Sequence, residues 1–142
     1  MQFLQVDVVT PEKLIFSQEA RELVLPGAQG SFGVLPGHMP LVADLEPGML
    51  KIKDQAGEIV YAIGGGYAEI TPHKVIVLAD SAVKAEDIDI EGARQARAQA
   101  IAQMKKGLQG PDLEAVEITL RKALAQLQVV DIQRRRNGVK RS

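Results

Sequence analysis

The chain changes its spacing rule once, near Glu86, and no other feature constrains the fold as much. Before that point apolar side chains recur at every second residue, in short runs separated by proline and glycine. After it they recur every three to four residues, alanine becomes common, and Pro111 is the one remaining proline. A period of two belongs to a strand with one buried face, and a period near 3.6 to a helix with one buried stripe. One continuous element cannot satisfy both. The sequence therefore predicts a two-part all-β plus α chain: an N-terminal β-sandwich over 1–85, then a C-terminal antiparallel α-helical hairpin over 86–142.

In the first part, turn signals every eight to twelve residues suit a sandwich or barrel. Pro26-Gly27, Pro36-Gly37 and Pro47-Gly48 are each expected to reverse the chain, with proline setting φ and glycine accepting the positive φ of a type II turn. Strands are predicted over 3–9, 14–16, 22–25, 50–53, 59–63, 67–70 and 75–79. In "MLKIKD" Leu50 and Ile52 face one way while Lys51 and Lys53 face the other. "DQAGE" then reads as a hairpin loop, and Gly64-Gly65-Gly66 as a bulge or tight bend.

In the second part a helix is predicted over 87–106, with Asp87, Asp89 and Glu91 at its positive end and Lys105 and Lys106 at its negative end. Gly107, Gly110 and Pro111 interrupt it. A second helix over 112–136, capped by Asp112 or Gly110, carries Leu113, Val116, Leu120, Leu124 and Leu127 on one stripe, facing Ile90, Ala93, Ala100, Ile101 and Met104. A buried leucine contributes roughly 1.5–3 kcal/mol and an alanine much less. So alanine-rich a seam is expected to be weak without a surface to lean on, which makes the pair a candidate moving part.

Chemistry is sparse. Seventeen Lys and Arg balance eighteen Asp and Glu, but 1–85 holds 6 basic and 10 acidic residues whereas 86–142 holds 11 and 8. The halves thus differ in sign without a global pull toward nucleic acid or an anionic membrane. There is no cysteine, no G-x-S-x-G elbow and no P-loop lysine, and His38 and His73 leave little for a metal. No catalytic residue and no metal site is expected. "MQFLQVDVVTPEK" has no basic stretch before an apolar core, and no run approaches the ~18 apolar residues of a membrane span. A soluble or peripheral chain is expected.

Against this background, "LPGAQGSFGVLPGHMPL" at 25–41 resembles the epsilon subunit family of the F-type ATP synthases. "VVTPEKLIFS" at 8–17, "EPGMLKI" at 46–52, "GGGYAEI" at 64–70 and "VIVLADSA" at 75–82 extend the resemblance across the sandwich. It implies a non-catalytic central-stalk, or rotor, subunit of a proton-translocating synthase, peripheral on the cytoplasmic face of the inner membrane. Its implied partners are the gamma subunit, the c-subunit ring and, through the helices, the alpha/beta catalytic hexamer. The stretch 31–41 matches the family's ring-facing loop, so Ser31, Phe32, Val34, His38, Met39 and Leu41 are the implied contacts. Members often carry an acidic residue where Ser31 stands here.

The resemblance further implies that the helices restrain ATP hydrolysis, with Arg121, Lys122, Arg134, Arg135 and Arg136 meeting the catalytic beta subunit. Some members bind ATP in the folded hairpin through [IL]-D-x-x-R-A. Here Ile88 and Asp89 match, Gly92 replaces the arginine, and Lys122 is basic while Gln126 follows one turn on; Arg94 compensates only with a register shift. Lysine replaces a lost arginine fork poorly, so ATP binding is expected to be weak or absent and no cofactor is expected. Composition alone also permits a free-standing β-sandwich binding module with a helical oligomerisation hairpin.

Overall fold

A computed structural model describes residues 2–141, with side chains described as far as 137. Eight strands come first: β1 (Leu4–Val9), β2 (Leu14–Ala20), β3 (Glu22–Gly27), β4 (Gly30–Val34), β5 (Leu41–Asp54), β6 (Gly57–Ile70), β7 (Lys74–Ala79) and β8 (Ala82–Lys84). A 3₁₀ turn at Ala85–Asp87 leads to α1 (Ile90–Met104) and α2 (Gly110–Arg141). The strands pair in the order β2-β1-β7-β6-β5-β3-β4, with β8 on the free stretch of β6. β1 and β7 run parallel and the other pairs antiparallel.

Alternation builds the core. Leu4, Val6 and Val8 of β1 point inward with Leu23 and Leu25 of β3, Leu50 and Ile52 of β5, and Val75 and Val77 of β7. β5 and β6 are fourteen residues each and serve both layers of the sandwich. The three glycines are where β6 changes partner, from β8 at 61–63 to β7 at 66–70. Gly66 has φ +139, and a Cβ there would collide with the Leu78 carbonyl oxygen, so the crossing needs glycine.

Several expectations need correction. Only Pro36-Gly37 of the three Pro-Gly pairs reverses the chain: Gly37 has φ +88 and the His38 amide donates to the Leu35 carbonyl at 3.1 Å. Pro26-Gly27 ends β3, and the reversal falls at Ala28-Gln29, with Gly27 paired to Gly30. Pro47-Gly48 lies inside β5 opposite 63–64, where the missing proline donor is absorbed at a point that β3 does not pair. Strand β4 was not expected, because its glycines and Ser31 read as turn. The segments 59–63 and 67–70 are one strand.

The helices also differ in detail. Asp89 caps α1, its Oδ1 accepting from the Gly92 amide at 3.0 Å, so Asp87 and Asp89 lie ahead of the helix and Glu91 in its first turn. Leu124 and Ile101 are exposed rather than in the seam, which is made by Ala93 and Ala100 of α1 and Ala123 of α2. Ala125, Val129 and Val130 of α2 are buried too, and Val129 and Val130 pack with Val60, Ala62, Ala85 and Ile88 as a second cluster. The helical pair is therefore docked, through α2, on the outer face of β5 and β6.

Candidate functional site

Two surfaces carry the features a partner would recognise. The first is the end of the sandwich where the turn at 35–38 meets the turn between β6 and β7. The Gly37 amide donates to the Pro72 carbonyl at 2.8 Å, and the Gln5 amide to the His73 carbonyl at 2.9 Å. Within that turn Thr71 Oγ1 donates to the Lys74 carbonyl at 2.9 Å. Proline on either side of 37–39 restricts the chain further. On this stiff base Leu35, Met39, Leu41 and Val42 are all exposed, Met39 by 79% and Val42 by 69%. A groove of about 470 Å³ opens alongside, between the β3–β4 hairpin and the start of β5.

The second surface is the docked helical pair. Arg121 Nη1 lies 3.6 Å from Glu46 Oε1, and Arg136 Nη1 lies 3.3 Å from Glu58 Oε1. Gln133 Nε2 donates to Glu86 Oε1 at 3.2 Å. Lys122 is half-buried, its chain crossing Gly64 so closely that a Cβ there would meet Lys122 Cε at 2.9 Å. Between the helices a hollow of about 240 Å³ is lined by Asp89, Gly92, Thr119, Lys122 and Gln126 with three alanines.

Two groups have shifted protonation. The Asp7 carboxyl is held below its usual range by hydrogen bonds from Ser17 Oγ at 2.8 Å and Gln5 Nε2 at 3.1 Å, with Lys74 Nζ at 3.6 Å from the other oxygen. Burial pushes the Tyr61 phenol up, and the charges of Glu86 and Asp87 add to it. Among the described residues no three His, Asp or Glu side chains converge as metal ligands.

Family models match nearly the whole of this architecture. Residues 3–85 match the ATP synthase delta/epsilon chain β-sandwich domain, and residues 86–131 match the long α-helix domain of the same chains. The chain belongs to the ATP synthase delta/epsilon family. It is 40% identical over 137 residues to the ATP synthase epsilon chain of Alkalilimnicola ehrlichii, covering 96% of this chain and 98% of that one. The epsilon chain of Moorella thermoacetica is 40% identical over 129 residues, with 89% and 96% covered. Among solved structures, a chain of the Euglena gracilis mitochondrial ATP synthase, determined with its OSCP, F1 and c-ring, superposes with TM-score 0.73 at 27% identity, over 94% of this chain and 82% of that one.

On this delta/epsilon chain the loop residues divide sharply. Ser31, Met39 and Leu41 are exposed, Phe32 and His38 are half-buried, and Val34 is fully inside the core, so it presents nothing to a partner. His38 Nδ1 lies 2.7 Å from the Met39 carbonyl oxygen, a bond that needs the proton on Nδ1. Leu35 and Val42 belong to the same exposed group and were missed. Strand alternation gives them no distinguishing signal, since an apolar residue at an edge looks the same whichever face it takes.

The four residues considered for a nucleotide are not brought together. Asp89 and Lys122 line one hollow, whereas Ile88 is buried in the second cluster and Arg94 Nη1 turns to Glu91 Oε2 at 4.0 Å. Of the basic set, Arg121 and Arg136 hold sandwich carboxylates, Arg135 Nη2 lies 2.9 Å from Asp131 Oδ2 one turn back, and Arg134 is exposed.

Proposed function

We infer that this chain is a non-catalytic central-stalk subunit of a proton-translocating F-type ATP synthase, its sandwich joining the gamma subunit to the c-ring and its helices restraining ATP hydrolysis when they leave the sandwich. The observation that carries the reading is the likeness, over nearly the whole chain, to a chain of a solved ATP synthase structure that comprises OSCP, F1 and c-ring. The exposed apolar side chains on the stiff turn at 35–42 support the ring contact, because a preset loop loses little entropy on binding. The docked helices support the regulatory part. Arg121 and Arg136 already neutralise carboxylates here, so an acidic loop of a catalytic subunit would replace bonds that the chain makes with itself.

ATP binding in the hollow between the helices is weak or absent. Asp89 is engaged as the α1 cap, Gly92 leaves no fork, and Lys122 lies over Gly64. Titration calorimetry that returned micromolar affinity for ATP would overturn this. For the larger reading, the chain should co-purify with gamma and the c-ring, and Met39→Asp should abolish ring retention while leaving the sandwich folded. Ending the chain after Ala85 should raise ATP hydrolysis by the reconstituted complex. Unchanged hydrolysis would exclude a restraining role for the helices.

A further inference from the structure

The helix that covers β6 does so in a measured way. Glu58, Val60, Ala62 and Gly64 alternate along β6 and share its outer face. Their counterparts on α2 are Arg136 against Glu58, Val129 against the Val60 and Ala62 pair, and Lys122 against Gly64. These three α2 residues are spaced by seven, which keeps them on one stripe. Fourteen helical residues rise about 21 Å, and six strand residues about 20 Å. The two lengths agree, and the helix runs antiparallel to the strand over 58–64.

Each end of this ladder is polar and the middle is apolar. At one end the Lys122 chain, beside Ser81 Oγ, fills the space that a side chain at 64 would take; at the other an arginine meets a glutamate. Of the two ion pairs between α2 and the sandwich among the described residues, Arg136–Glu58 is the less exposed, at 30% and 20% of the side chains against 46% and 47% for Arg121–Glu46. Less screening makes it the stronger pair. We propose that Glu58 and Arg136 form a latch that holds α2 docked in a single register on β6, so that release of the helical pair begins with the breaking of this ion pair. This deepens the regulatory reading above and rests on it for its physiological meaning, although the latch itself is a property of the isolated chain.

The apolar contact between alternating strand positions and a helical stripe does not by itself forbid a slip of one turn. A slip would take Arg136 from Glu58 and Lys122 off Gly64, leaving a half-buried carboxylate without its cation. The pair therefore supplies register as well as attachment.

Hydrogen–deuterium exchange on the full-length chain tests this, read over 125–136 with β1 and β7 as the internal reference. Glu58→Gln and Arg136→Gln should each speed exchange of that segment about fivefold and leave the reference strands unchanged. The reversed pair, Glu58→Arg with Arg136→Glu, should recover most of the parent's protection. Salt at about 1 M should speed exchange of the segment in the parent by clearly more than it does in Glu58→Gln, where only the exposed Arg121–Glu46 pair is left to screen. Parental exchange in both glutamine variants would overturn the proposal, as would reversal that leaves the segment as exposed as in the single variants. If the reversed pair does not fold, the glutamine variants and the salt series still decide. The outcome is separable from the central-stalk reading: failure to co-purify with gamma would sink that one and leave these exchange rates untouched.

Discussion

Single residues fix two tight points of the sandwich. Gly66 holds a positive φ against the Leu78 carbonyl, so Gly66→Ala should cost about 2–3 kcal/mol, measured as a lower urea midpoint. Asp7 links β1 to β2 and β7 through Ser17 and Lys74. Its folded-state pKa is lowered, so as pH falls below 3.8 the unfolded chain takes up the proton first and the stability that Asp7 contributes is lost through that window. Asp7→Asn should remove this component, flattening the stability profile below pH 4 in chemical denaturation. Neither role stands out in the sequence. Asp7 sits at an ordinary outward position of an alternating strand, and a run of three glycines announces a bend without saying which of them faces a backbone oxygen.

Elements were legible where one periodicity ruled. β1, β7 and the "MLKIKD" part of β5 follow strict alternation, and both helices follow their stripes, so their existence and approximate limits could be read directly. Misreadings arose where backbone chemistry was taken as decisive. Pro47-Gly48 has the composition of a turn, but cross-strand pairing with 63–64 keeps the chain extended. The docking face of α2 was hidden by its own sequence, because its leucines advertise a stripe that the structure leaves partly wet, Leu124 being 45% exposed. A usable signal lay on the other side, in "IVYAI" of β6. A run apolar at both odd and even positions is buried on both faces, and Val60 and Ala62 needed a cover. Accordingly Val129→Ala should weaken docking by about 1–3 kcal/mol, seen as faster exchange across α2. Leu124→Ala should change it by no more than about 0.5 kcal/mol.

For the molecule as a whole, the two clusters are distinct bodies of contact. The larger contains only strand residues, whereas the smaller joins β6 and the 3₁₀ turn to α2. A chain ending after Ala85 should therefore keep a cooperative thermal transition with the strand signature in circular dichroism, at somewhat lower temperature. Loss of that transition would mean that the helices are integral to the strand core. The two-part order was readable from the sequence because each part has its own period. How the parts meet was not, since the contact rests on small and medium side chains, Val60, Ala62, Ala85, Val129 and Val130, that carry little pattern.

That choice of small residues sets the scale of any excursion by the arm. When α2 lifts, what becomes wet on the sheet is a narrow strip of Val60 and Ala62 flanked by Met49 and Val83, with no large aromatic among them. So slender a band is a poor seed for self-association and a modest penalty for parting. An arm seated on bulkier side chains would be glued down, and one seated on none would drift. Here the strip is wide enough to bring the arm home and too thin to keep it there against a competitor.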